Sequence, residues 1–203
     1  CQADFRKEYS GTDGAITISV SSQGEQQVSA LTMTSKEKAV FFLMHIPYGI
    51  EKMSGEIEGL VETSNNIGVL RIEDGMLCAS CGIRSSVGSA KLYVSEKIQY
   101  LTEFLGGEYT VMGDYPAWEY KKDSVLLELM ADTYRELFGK EASVKAIHAG
   151  LECGLFYDKI PGLDCVSFGP SMQDIHTTEE KLSISSTARM WEYLVKVLEN
   201  IRG

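Results

Sequence analysis

The chain has 203 residues, 44% of them hydrophobic, and a formal net charge of -10 at pH 7. That apolar content supports one large domain or two small ones around a real core. The acidic balance leaves no basic stripe to neutralise phosphates, which excludes nucleic acid and anionic membrane surfaces as partners. The longest apolar run, Ala39 to Ile46, is far short of the roughly 20 residues a membrane span requires, so the reading is a soluble protein.

In chain order, "AITISV" (15–20) is a strand candidate, and an amphipathic run from Ser35 to Ile46 predicts a helix whose start is marked by Ser35, Glu37 and Lys38. "NNIGVLRI" and "MLCASCGIR" flank Glu73-Asp74-Gly75, a strong hairpin signal. Residues 86–105 predict a helix with Leu92, Ile98, Leu101 and Leu105 near one stripe and Gly106-Gly107 as its stop. Strand, helix, hairpin and helix make a small α+β layer. The stretch "GDYPAWEYKKDS" (113–124) breaks the periodicity and marks a domain boundary.

Beyond it, Asp123 or Ser124 caps a helix carrying Leu126, Leu129, Met130, Tyr134 and Leu137, closed by Gly139. "VKAIHAG" reads as a strand, "GLECGLF" as a turn or short helix, and "DCVSFGP" as another strand. Ser186 to Ile201 is a final amphipathic helix with the stripe Trp191, Leu194, Leu198 and Ile201. This succession is the back half of an α/β sandwich.

The five cysteines are odd in number and irregular in spacing, and read as reduced thiols in a cytosolic protein. The first residue is Cys1 rather than an initiator methionine, which reads as a processed product or a piece of a longer chain. Of the three histidines, His45 lies in an apolar run and His148 ends a strand-like one, both structural positions. His176 sits in a polar loop after a Gly-Pro break, where core packing gives it no reason to be, and is a ligand or acid-base candidate. "CASC" (78–81) has half a zinc-ribbon spacing, but residues i and i+3 of a strand face opposite sides. No His-x-Asp and no His-Glu-x-x-His unit is present, so three or four metal ligands do not converge from motifs of this sequence alone.

"VETSNNIGV" (61–69), "GDYPAW" (113–118), "IHAGLECGLF" (147–156), "VSFGP" (166–170) and "IHTTEEKLSISS" (175–186) carry a resemblance. Over about residues 55–200 the chain resembles the C-terminal part of the aminoacyl-histidine dipeptidases, the Xaa-His or cytosol non-specific dipeptidases of the zinc aminoacylase and glutamate-carboxypeptidase superfamily. The resemblance implies an α/β fold. Residues 1–114 would be an α+β lid of dimerisation type, incomplete at its start, and residues 115–203 the C-terminal part of the catalytic α/β domain. It implies two zinc ions in the parent enzyme, with only the late histidine, His176, falling in this chain. The general base and the remaining ligands would belong to an N-terminal half.

The same resemblance makes Asn66 a substrate or oxyanion contact and Arg84 a partner for the substrate's C-terminal carboxylate. Gly150 and Glu152 would line the substrate pocket, with Glu152 receiving the dipeptide's amino group. Thr178-Glu179 stands where relatives commonly have Pro-Asp. The function so implied is a cytoplasmic zinc dipeptidase, inactive as this isolated chain, with dipeptides such as Xaa-His as substrates and a possible homodimer through the lid. The alternative is a binding or dimerisation module derived from the lid. A third reading uses Cys1 as an N-terminal nucleophile with its own amine as base.

Overall fold

The computed structural model describes residues 1–145 and 151–201. The chain divides into two compact units, Cys1–Glu37 and Lys38 onward. In the first, α1 (Gln2–Glu8) stacks Phe5 on Tyr9 one turn later, with ring centroids 6.2 Å apart. The expected strand at 15–20 does not form. Its polar groups go to α1 side chains instead of a ladder: Arg6 Nε donates to Ile16 O at 2.8 Å, and Ile18 N donates to Gln2 Oε1 at 3.1 Å. A strand without a partner strand leaves its backbone to whatever side chains reach it. α2 (Met33–His45) starts two residues before the expected point, and Thr32 Oγ1 accepts from Ser35 N at 3.1 Å.

The second unit opens on a three-stranded antiparallel sheet of β1 (Gly49–Met53), β2 (Val61–Glu73) and β3 (Met76–Ser85), in the order β1-β2-β3. Asp74 (φ 50) and Gly75 (φ 78) are both left-handed, as a two-residue hairpin turn requires when it follows the natural twist of its strands. α3 (Gly88–Phe104) packs on one sheet face around Ile46, Val94 and Ile98, with Ile67, Cys81 and Ile83 beneath. Val94 takes the core place expected of Leu92, which is exposed. Gly106 (φ 83) ends the helix, and Lys38 Nζ donates to the Leu105 carbonyl at 2.6 Å, where a cation suits the negative end of the helix dipole.

The later elements are α4 (Val125–Phe138), α5 (Glu152–Lys159), the two-residue strands β4 (Met172–Gln173) and β5 (Lys181–Leu182), and α6 (Ile184–Asn200). α4 is capped as its sequence predicts, by Ser124 Oγ accepting from Leu127 N at 3.0 Å and by left-handed Gly139 (φ 65). α4 and α6 share a second core of Met130, Tyr193 and Val197, with Leu126, Leu129, Tyr134 and Leu137 around it. The stripe expected of α6 is corrected here. Ser186, Tyr193 and Val197 are buried, whereas Trp191, Leu198 and Ile201 are exposed. Tyr193 wins the inward place because its hydroxyl also finds an acceptor, donating to Met130 O at 2.7 Å. No helix of the described residues is long and apolar enough to cross a membrane.

The strand expected at 164–170 is absent: these residues carry no regular structure, and no described strand pairs with them. Val144 and Lys145 likewise lie outside any strand, and the rest of "VKAIHAG" lies outside the described residues. Residues 164–168 still have a packing role. Asp164 Oδ1 accepts from Ser124 Oγ at 2.7 Å and its Oδ2 from Leu126 N at 3.1 Å, which sets a carboxylate on the N-terminus of α4. Burial raises the Asp164 carboxyl, but the Leu126 amide, the Ser124 hydroxyl and Lys121 outweigh it, and it sits below the ordinary value. A carboxyl depressed in the folded state adds stability above its unfolded value near 4, and loses it as pH falls through the folded value. Asp164→Ala should therefore cost about 1–2 kcal/mol in urea unfolding at pH 7 and progressively less as the pH falls below the unfolded value. A loss that does not shrink as the pH falls would contradict the carboxylate cap.

Candidate functional site

Strand alternation sorts the residues of β2 and β3 onto two faces. Thr63, Asn65 and Ile67 on β2 lie opposite Ser85, Ile83 and Cys81 on β3 and face the helices. Thr63 and Ser85 join by their hydroxyls at 2.9 Å, and Asn65 Nδ2 donates to Pro47 O at 2.7 Å. The other face carries Ser64 opposite Arg84 and Asn66 opposite Gly82. Asn66 and Arg84 are exposed and stand as diagonal neighbours, a separation of roughly 7–8 Å between backbones. The structure thus brings together two of the residues singled out from sequence. Gly82 puts no side chain beside Asn66, and a bulge between Ile67 and Val69 changes the register just beyond it. Glu62, on the same strand, is buried and paired with Lys52 Nζ at 2.9 Å.

Sequence reading distinguished Asn66 from its neighbour by resemblance alone. Their alternation supplies the physical distinction, since Asn65 is 1% exposed and spent on the loop at Pro47.

His176 lies in the loop 174–180, pinched at its base by the pairs Met172 with Leu182 and Gln173 with Lys181. Ser171 N donates to Ser186 Oγ at 2.8 Å and Ser183 N to Ser171 O at 3.0 Å, which fastens the pinch to the start of α6. Within the loop Asp174 (φ 52) and His176 (φ 68) both adopt left-handed backbone, an unfavourable state for non-glycine residues that surrounding bonds must hold. One such bond runs from His176 N to Glu180 Oε2 at 2.9 Å. The imidazole is exposed.

Glu152 is exposed at the first turn of α5. Two residues on, Gly154 is buried where an added Cβ would come within 3.2 Å of Pro116 O and 3.4 Å of Trp118 Cβ. Close approach at a glycine therefore joins "GDYPAW" to "GLECGLF". Gly150 and His148 lie outside the described residues. No hydrogen bond or ion pair among the described residues links Glu152 with His176.

Among the described residues no group of three or more His, Cys, Asp and Glu side chains converges as a metal site needs. The donors described in this chain do not by themselves fit a complete zinc centre. The cysteines are all free. Burial pushes the Cys81 thiol up, with the Asn65 side chain partly opposing it, and burial likewise raises Cys165, so neither is an activated thiolate. His45 stacks on Phe41 at 4.0 Å with its Nδ1 2.8 Å from Phe41 O, a structural arrangement.

The model of "Peptidase family M20/M25/M40" matches residues 4–200. The chain belongs to this family. It is 35% identical over 173 residues to the cytosol non-specific dipeptidase of Escherichia coli (strain K12), covering 85% of this chain and 36% of that protein. It is also similar to the crystal structure of aminoacylhistidine dipeptidase from Vibrio alginolyticus, with a TM-score of 0.83 and 31% identity over 98% of this chain and 41% of that one. Aminopeptidase PepT from Bacillus cereus shares the fold, with a TM-score of 0.61 at 18% identity over 82% of this chain and 45% of that one. The chain spans less than half the length of each of these relatives. Family membership agrees with the α/β class read from the sequence.

Proposed function

We propose that this chain is the lid and C-terminal catalytic segment of a zinc-dependent, cytoplasmic dipeptidase acting on dipeptides such as Xaa-His, and that it is inactive without the remainder of the fold. The observation that carries the reading is the pair Asn66 and Arg84, exposed side by side on one sheet face in a family member whose two closer matches reported above are both named as dipeptidases. The lid would be residues 1–114 and the catalytic segment residues 115–203. The two hydrophobic cores support that boundary, because the residues of one run from Phe42 to Tyr109 and those of the other from Leu126 to Val197.

In this account Arg84 takes the substrate carboxylate by its two-pronged guanidinium, and Asn66 donates to the substrate carbonyl region. Glu152, exposed at the first turn of α5, would receive the substrate's amino group, and Gly150, outside the described residues, keeps the pocket-lining role that the resemblance implies. His176 offers one imidazole to a zinc site that other segments complete. Bound zinc would supply carbonyl polarisation and an acidified water. Homodimerisation through the lid is part of the proposal, supported by the exposed aromatic residues Tyr93, Tyr100 and Phe104 on α3.

The test of His176 reads metal rather than turnover. Joined to the remainder of the Vibrio alginolyticus enzyme, this chain should bind two zinc ions per protomer by calorimetry, and His176→Ala should weaken one of them at least tenfold. Unchanged affinity at both sites would remove His176 from the site.

A further inference from the structure

The loop 174–180 turns sharply between β4 and β5, and it carries His176 (φ 68) in a backbone state that few non-glycine residues adopt. Asp174 (φ 52) shares that state two residues earlier. Left-handed backbone at two non-glycine positions of one short loop persists only where other bonds over-determine it. On the Asp174 side, its carbonyl accepts from Thr177 N at 3.2 Å and from Thr177 Oγ1 at 2.7 Å, and Thr177 Oγ1 accepts in turn from Glu179 N at 3.2 Å. His176 is held separately. Its amide donates to Glu180 Oε2 at 2.9 Å, and Glu180 N donates to Thr177 O at 3.3 Å.

Glu180 is anchored where it makes this contact. Lys181, next in sequence, pairs with Gln173 in the β4–β5 ladder, and Ser183 N reaches Ser171 O at 3.0 Å just beyond. A single carboxylate therefore runs as a strut from the fixed base of the loop to the amide of the histidine. Glu180 is exposed, so water competes for this bond, but a carboxylate acceptor makes it charge-assisted, about twice as strong as a neutral one. The backbone φ of a residue decides where its Cα–Cβ bond points. Were His176 to relax to extended or right-handed backbone, its imidazole would leave the loop in another direction.

We infer that Glu180 is a positioning residue for His176: by accepting from the His176 amide, it holds the left-handed backbone that sets the direction in which the imidazole leaves the loop. The inference rests on the reading of His176 as a zinc ligand proposed above. Groups that orient a metal ligand from outside change metal affinity by about 10–100-fold when they are removed. Glu180 acts in the same way, through the backbone of the histidine instead of its ring.

Glu180→Ala removes the strut, whereas Glu180→Gln removes the charge and keeps an oxygen that accepts from the amide. In the 203-residue chain without metal, a strong nuclear Overhauser effect between the His176 amide and its own α proton marks positive φ. It should persist in Glu180→Gln and weaken by about threefold in Glu180→Ala as the backbone relaxes. In the chain joined to the remainder of the Vibrio alginolyticus enzyme, calorimetry with zinc alone should show one site weakened about tenfold or more by Glu180→Ala and held within about threefold of wild type by Glu180→Gln. Glutamine as damaging as alanine would overturn the positioning role, because a glutamate acting as a ligand or as a bare charge fails with either substitution. An Overhauser effect at His176 unchanged in Glu180→Ala would overturn it as well. If His176→Ala weakens a zinc site and Glu180→Ala does not, the positioning role falls and the zinc reading of His176 stands. If His176→Ala leaves both sites intact, that reading falls and takes the positioning role with it.

Discussion

Arg84→Ala, introduced into the chain joined to the remainder of the fold, should lower kcat/KM for a free dipeptide by about 10²–10³-fold, most of it in KM. The size follows from removing a charge-assisted bidentate contact, about 3–4 kcal/mol once the substrate carboxylate is left without its partner, at 1.4 kcal/mol per tenfold. The weight on KM follows because the carboxylate does not itself react and is held equally before and during reaction. Two controls separate recognition from damage to the sheet. Arg84→Lys keeps the charge but loses the fork and should fall between the two. A dipeptide amide, which has no terminal carboxylate, should be hydrolysed by the wild-type and Arg84→Ala enzymes at nearly the same rate. Equal losses on the free dipeptide and the amide would show that Arg84 acts on the fold and not on the substrate.

Tyr193→Ala should destabilise the α4–α6 pair by about 3–5 kcal/mol, the range for emptying a buried aromatic site. Tyr193 is 5% exposed and its ring meets Tyr134 at 5.5 Å and Phe168 at 5.4 Å, both edge-on. Burial raises its phenol, which stays protonated and donates to Met130 O. Tyr193→Phe keeps the packing and loses only that hydrogen bond, so it should cost about 1 kcal/mol. The midpoint of urea unfolding followed by circular dichroism measures both. A cost below about 1 kcal/mol for the alanine variant would show that the aromatic cluster does not hold the two helices together.

Local signals were legible in the sequence where the structure they specify is also local. The hairpin turn at Asp74-Gly75, the cap at Ser124 and the stop at Gly139 each draw on residues within one turn, and each forms where its residues predict. The strand at 164–170 did not form because β-structure is a property of a pair, and no described strand lies beside it. For α6 the sequence offered two apolar stripes and no local reason to prefer either. Contact with α4 and the acceptor at Met130 O chose the one through Tyr193. Asp164 as the second cap of α4 was invisible for a related reason, being 40 residues from the Ser124 hydroxyl it accepts from.

The candidate site divides in the same way. Asn66 and Arg84 were found by resemblance, and the register of β2 and β3 explains their proximity: two strands joined by a tight hairpin place residues 18 positions apart in sequence as diagonal neighbours. His176 stood out because a polar loop gives a histidine no packing role. The left-handed backbone at Asp174 and His176 adds a constraint that composition does not carry.

Dipeptide turnover tests the central claim most directly. The 203-residue chain and the same chain joined to the unmatched part of the Vibrio alginolyticus dipeptidase are compared on an Xaa-His dipeptide with zinc present. The account predicts hydrolysis by the joined protein and none above background by the chain alone. Turnover by the chain alone, or a folded joined protein that binds zinc and hydrolyses no dipeptide, would contradict it.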